Sequence, residues 1–131
     1  MTRRLTGPAT KLTVSTVLLG LISLALMAQG CGRSETYGEA VTETSITAVA
    51  DILQNVDGYA GKTVRVEGKI ATECPSGCWF ELKEEGAIIY VDMAPGGFAI
   101  PQYVGKKAVV QGTVVVDGRR ARIHAEGVEI H

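Results

Sequence analysis

Three residues within six positions carry most of the chemistry open to this chain. Cys74 and Cys78 flank Pro75-Ser76-Gly77, and Trp79, the single tryptophan, follows directly. Two thiols at this spacing can close a disulfide, hold a soft metal such as Cu(I) or Zn(II), or exchange electrons with another thiol pair. Proline second and glycine last is the order of a type I turn ended by a left-handed residue, which predicts a three-residue hairpin loop. Cys74 and Cys78 then stand opposite each other with both sulfurs on one side. Opposed strand residues have Cβ atoms ~4.5–5.5 Å apart, slightly wider than the ~3.5–4.5 Å of a disulfide, so a bridge needs only a small adjustment. A bridge across so short a loop removes little chain entropy and contributes about 1–2 kcal/mol. A passive disulfide is the default reading, with metal binding and redox exchange beside it. A zinc site would need two further ligands, and the sequence places none nearby.

A second candidate is Val116 to His124, "VDGRRARIH". Asp117-Gly118 is a two-residue hairpin signal, and Arg119, Arg120 and Arg122 follow it. Arginines there can bind an anion or carboxylate, or simply keep an exposed hairpin solvated. Period-two alternation turns Trp79 outward beside Glu81 and Lys83, where it could stack on a sugar, a base or a partner protein, or else cover one end of the fold or the N-terminal helix. His124 falls on the outward face as a surface histidine, Met93 alternates with Val91 and Ile89 as core, and His131 is terminal. Glu84-Glu85 reads as a solvated turn. No Ser-His-Asp order, phosphate loop, His-Glu-x-x-His or GxGxxG occurs, so no catalytic residues are assigned and an enzyme is not expected.

The elements that must position these residues begin after an export segment. Met1 to Lys11 carries Arg3, Arg4 and Lys11 with no acid, Leu12 to Met27 is almost wholly apolar, and small residues follow. That is the three-part pattern of a signal peptide over residues 1–30, and the apolar run is short of the roughly 20 residues that a membrane span needs. "MAQGC" resembles a lipobox, making Cys31 the lipidation site, although Ala28 and Gln29 depart from the usual residues and cleavage after Gly30 is the rival. Thr2-Arg3-Arg4-Leu5 is a weaker twin-arginine match. Of 13 Lys+Arg, three fall in the signal, which leaves 10 against 14 Asp+Glu and a mature charge of about −4. Nucleic-acid binding draws on net cationic surface, so this balance counts against it. The membrane, through Cys31, and an envelope protein or small ligand are the expected partners. No cofactor is required, although Cys74 and Cys78 could hold copper or zinc.

Residues 31–44 are polar and without periodicity, as in a flexible tether. Ser45 is a candidate N-cap for a helix over Thr47 to Gln54, with Ile46, Val49, Ile52 and Leu53 at helical spacing. From Lys62 the period becomes two, with Val64, Val66, Gly68, Ile70, Thr72 and Cys74 on one face and Arg65, Glu67, Lys69 and Glu73 on the other. Strand-like runs follow at Trp79 to Lys83, Ala87 to Met93, Lys106 to Val116 and Arg120 to Ile130. Five strands, a wide connection after the third, and Gly68 and Gly112 as mid-strand bends match an all-β OB-fold, a Greek-key barrel with a short N-terminal helix, over residues 45–131.

"VADILQNVDGYAGKTVRVEGKIATECPSGCWFEL", "FAIPQYVGKKAVVQGTV" and "ARIHAEGVEI" together resemble a family of small exported bacterial OB-fold proteins of unknown function, related in fold to the tRNA-anticodon-binding type of OB domain. The most specific shared feature is a cysteine, a short gap and Gly-Cys-Trp, here Cys74 and Gly77-Cys78-Trp79. Phe80 stands where that family often has methionine. The resemblance implies the fold and supplies no activity. In such a barrel the loops between strands one and two and between strands four and five flank the ligand face. That expectation brings Trp79, Cys74, Cys78, Arg119 and Arg120 toward one rim.

Overall fold

The computed structural model describes residues 32–131. The signal-peptide reading of 1–30 and the lipidation site Cys31 lie outside the described residues. The alternating runs form β2 (Thr63–Glu73), β3 (Trp79–Glu84), β4 (Ala87–Asp92), β5 (Lys107–Asp117) and β6 (Arg120–Ile130). The hydrogen-bonded order β2-β3-β4-β6-β5 closes because β5 also pairs with β2, and the β4–β6 pairing is parallel while the others are antiparallel. This is the five-stranded OB barrel expected from the sequence.

Its interior is the set of in-facing residues that alternation predicts. Val64, Val66, Ile70, Phe80, Leu82, Val91, Met93 and Ile123 are all buried, and Met93 packs as core. At Gly68 and Lys69 strand β2 changes partner from β5 to β3, so one strand serves both sides of the barrel. Gly112 lies where the β5–β6 register shifts, the place of a bulge.

Three local readings are corrected. First, the tether reading of 31–44 gives way at β1 (Glu35–Gly38), a strand that pairs antiparallel with the last residues of β6. The side chain of Gln111, buried in β5, accepts the backbone N–H groups of Thr42 and Glu43, each at 2.8 Å, so this segment lies bonded along the barrel. Second, the helix is shorter than expected. Helix α1 (Val49–Gln54) starts after Ala48, and Ser45 does not cap it. Ile46 instead bridges to Arg65 of β2, and the cap comes from across the fold, where the Glu84 carboxylate accepts the Val49 N–H at 2.6 Å. Glu84 is therefore a helix cap rather than part of a solvated turn. Val49 and Ile52 of α1 are fully buried, Leu53 is partly exposed, and a second helical turn, α2 (Val56–Tyr59), follows.

Third, β2 bulges between Ile70 and Thr72. Ile70 faces Leu82, Thr72 faces Glu81 and Glu73 faces Phe80, so Ala71 is an extra residue and the alternation reverses beyond it. Thr72 therefore points out and Glu73 moves to the side of Phe80, opposite to the faces the simple period assigns. There the Glu73 carboxylate accepts the N–H groups of Tyr103 and Val104, at 2.7 and 3.0 Å, and ties the 97–106 connection to the end of the barrel.

Candidate functional site

The bulge resets the geometry of the cysteine turn. Gly77 takes φ +74° and its N–H bonds to the Cys74 carbonyl at 2.8 Å, as the turn residues predict. However, the Cys74 N–H bonds to Trp79, not Cys78, at 2.9 Å, so the loop closes one residue later than a three-residue hairpin. Cys78 sits inside the loop, and its sulfur still comes within 3.1 Å of the Cys74 sulfur. That separation exceeds a sulfur–sulfur bond of ~2.05 Å, so the two sulfurs are in contact and not bonded in this structure. The Ser76 hydroxyl caps them, 3.0 Å from Cys74 Sγ and 3.6 Å from Cys78 Sγ.

The turn is fixed from several directions. Ile100 N–H donates to the Gly77 carbonyl at 3.1 Å and Met93 N–H to the Cys78 carbonyl at 3.0 Å. The Gln102 amide donates to the carbonyls of Cys74 and Pro75, at 3.0 and 3.2 Å. A Cβ on Gly77 would run into the Ile100 carbonyl oxygen, so glycine is needed there for space as well as for its backbone angle. Around this scaffold the Ser76 hydroxyl, and then the Cys78 thiol, stabilise charge on Cys74 and bring its pKa down to about 7 from an ordinary 9.0. A thiol held there is half thiolate at neutral pH, and the thiolate is the nucleophile and metal ligand.

The arginine hairpin contributes to a different feature. Arg119, Arg120, Arg122 and Asp117 line a groove of about 550 Å³ together with Glu81, Ile88 and Tyr90 from the outer face of β3 and β4 and Leu53 from α1. Three arginines face two carboxylates. Arg122 lies 3.6 Å from Asp117, while Arg119 and Arg120 take part in no ion pair among the described residues. The groove thus combines two unpaired guanidinium groups with a floor of tyrosine and isoleucine.

The expected common rim is only partly formed. In the parallel register Tyr90 lies beside Arg122 and Asp92 beside His124, while Trp79 faces Asp92 across β3 and β4. The cysteine turn is therefore level with His124 and the arginine hairpin begins at Arg120, roughly 13 Å away at ~3.3 Å per residue. Trp79 spans part of that interval. It is half-buried and stacks on Tyr90, with ring centroids 5.3 Å apart and planes at 26°. Its outward face is as predicted, but its contact is a groove tyrosine rather than the helix. Tyr90 is the residue that sequence reasoning missed. Its only signal is its out-facing place in β4, and burial with the neighbouring Asp92 carboxylate pushes its hydroxyl pKa up. Among the described residues no group of three Cys, His, Asp or Glu is arranged to hold a metal ion, so Cys74 and Cys78 stand as a pair.

No protein-family model matches the chain, and no curated protein matches it in sequence. Solved structures do resemble it. The hypothetical protein YgiW from E. coli aligns at 20% identity over 66% of this chain and 90% of its own, with a TM-score of 0.49. A protein described as an aspartyl-tRNA synthetase, from Leishmania major Friedlin, aligns at 12% identity over 86% of this chain, with a TM-score of 0.53. The chain spans about a quarter of the synthetase's length, 26%. At 12% identity the likeness to the synthetase is one of fold, and the barrel topology of the described residues defines the class: an OB-fold domain carrying a two-cysteine turn and an arginine-lined groove.

Proposed function

We propose that this protein is an exported, lipid-anchored binding module of the bacterial cell envelope, and that its groove takes an anionic group attached to an apolar or aromatic body. One observation carries the reading. Arg119 and Arg120, free of ion pairs among the described residues, border a groove of about 550 Å³ whose floor includes Tyr90 and Ile88. Guanidinium groups bind carboxylate or phosphate in a planar, two-point manner, and aromatic and aliphatic surface holds the rest of a ligand. The groove also lies where OB-folds present their strand two and three face beside the loop between strands four and five. The mature charge of about −4 favours a protein or small ligand over an oligonucleotide.

Titration of the folded protein with a glutamate-rich peptide ending in phenylalanine, followed by Trp79 fluorescence, tests the groove. Saturable binding that weakens at least tenfold in Arg119→Ala/Arg120→Ala and falls with salt supports it. Binding unchanged by that double substitution, or tighter binding of a single-stranded oligonucleotide, overturns it. For the anchor, Cys31→Ser moves the protein from the membrane fraction to the soluble fraction, and an unaltered distribution excludes lipid at Cys31. A metal-handling role for Cys74 and Cys78 is the second reading, supported by two sulfurs 3.1 Å apart on a fixed turn.

A further inference from the structure

We infer that Cys74 and Cys78 form a reversible dithiol–disulfide couple in which Cys74 attacks the disulfide of a small molecule or partner protein and Cys78 resolves the mixed disulfide. The inference is independent of the groove. Its basis is an asymmetry between two sulfurs that share one turn. Cys74 Sγ accepts from the Cys78 thiol at 3.1 Å and lies 3.0 Å from the Ser76 hydroxyl, which stands farther, at 3.6 Å, from Cys78 Sγ. Cys78 is held by its neighbours, with its carbonyl bonded to Met93 of the core and its chain leading directly into the Trp79–Tyr90 stack. Cys74 is thus the sulfur with the nearer hydroxyl and the thiol donor, an arrangement that suits an attacking thiolate, and Cys78 waits within reach of it.

The chemistry balances without a metal or cofactor. Cys74 thiolate attacks one sulfur of a disulfide RS–SR′, forming Cys74–S–SR and releasing R′S⁻, which takes up a proton. Cys78 loses its proton and attacks Cys74 Sγ, forming the Cys74–Cys78 bond and expelling RS⁻. Two electrons pass from the protein dithiol to the external disulfide, which leaves as two thiols. The sulfurs need to approach by only about 1 Å, from 3.1 Å to a bond of ~2.05 Å. The backbone of the turn is already tied by Ile100, Met93 and Gln102, so little chain ordering stands between the two states. A loop this short adds little stability when cross-linked, which leaves the bond reducible.

The test uses the full chain carrying Cys31→Ser, so that the pair supplies its only thiols, with glutathione disulfide as the probe. The otherwise native chain should end with an internal bond and no retained glutathione. Cys78→Ser should accumulate one glutathione on Cys74, and Cys74→Ser should acquire its adduct at least fivefold more slowly. Equal adduct rates in the two variants, or a native chain that keeps the glutathione, overturn the assigned roles. A measurement without substitutions in the pair guards against misfolded variants: equilibration across glutathione ratios, followed by alkylation and mass analysis, should give one reversible two-electron transition. A pair that stays reduced or stays oxidised at every ratio overturns the inference. So does a reduced chain that retains zinc or copper and is thereby shielded from the probe, an outcome that favours the metal reading.

Discussion

The turn from Cys74 to Trp79 and the hairpin from Asp117 to Arg120 are both tight reversals led by glycine signals, yet they are built in opposite ways. The first is bonded to the core and to the 97–106 connection through Gly77, Cys78, Cys74 and Pro75. The second stands in solvent, with residues 117–120 exposed and only its own β5–β6 ladder beneath it. A reacting pair needs sulfurs placed to within about an ångström, whereas a groove that surrounds a ligand gains from side chains that adjust. The contrast teaches that turn chemistry in sequence specifies the reversal, and tertiary bonds decide whether it is a fixed scaffold or an adaptable border.

Substituting the two turn glycines breaks or sharpens this contrast most directly. Gly77→Ala places a Cβ against the Ile100 carbonyl at φ +74° and should cost about 3 kcal/mol, while Gly118→Ala, at φ +62° with open space around it, should cost about 1 kcal/mol. Chemical denaturation of both variants checks the difference, and equal losses would show that the cysteine turn is no more fixed than the hairpin.

A smaller effect is expected in thiol reactivity. The alkylation rate of Cys74 should rise with a midpoint near pH 7, against 9.0 for an ordinary thiol. At neutral pH the larger thiolate fraction is partly offset by the lower nucleophilicity of a stabilised thiolate, leaving Cys74 roughly fivefold faster than an ordinary cysteine. Ser76 and Cys78 on the turn set this shift, with Gln102 beside it and Tyr90 and Asp92 on β4. The folded state holds the thiolate better than the unfolded chain does. The associated stability is therefore present above the ordinary thiol pKa and is lost as pH falls through about 7. Ser76→Ala should move the midpoint up, and an unchanged midpoint would show that the hydroxyl does not tune the sulfur.

The five barrel strands were legible because most alternate and all carry β-branched or aromatic apolar residues between turn signals, β5 being buried continuously from Ala108 to Gly112. The turn chemistry of Pro75, Gly77 and Asp117-Gly118 was legible because it is local. What could not be read depends on partners distant in the chain. The Ala71 bulge reverses the face of Thr72 and Glu73 without leaving any mark in the alternation before it. The cap of α1 comes from Glu84, thirty-five residues away, while Ser45, the local candidate, is left out. The groove depends on the parallel pairing of β4 with β6, which sets Tyr90 beside Arg122 and separates the arginine hairpin from the cysteines. Polar β1 could not be recognised at all, because its strand bonds are with the backbone of β6 and only one of its side chains, Tyr37, packs against the core, too few to show a period.

That first strand has a consequence for self-association. One side of β6 is shared, pairing with β4 at residues 122–124 and with β1 at residues 127–130. Without β1, the second half of that side would present unpaired N–H and C=O groups next to the buried residues Val128 and Ile130, a ready template for a strand from another copy. Glu35–Gly38 therefore serves as a built-in blocking strand, and a chain trimmed to the barrel alone would be prone to pair with itself at the place this segment fills.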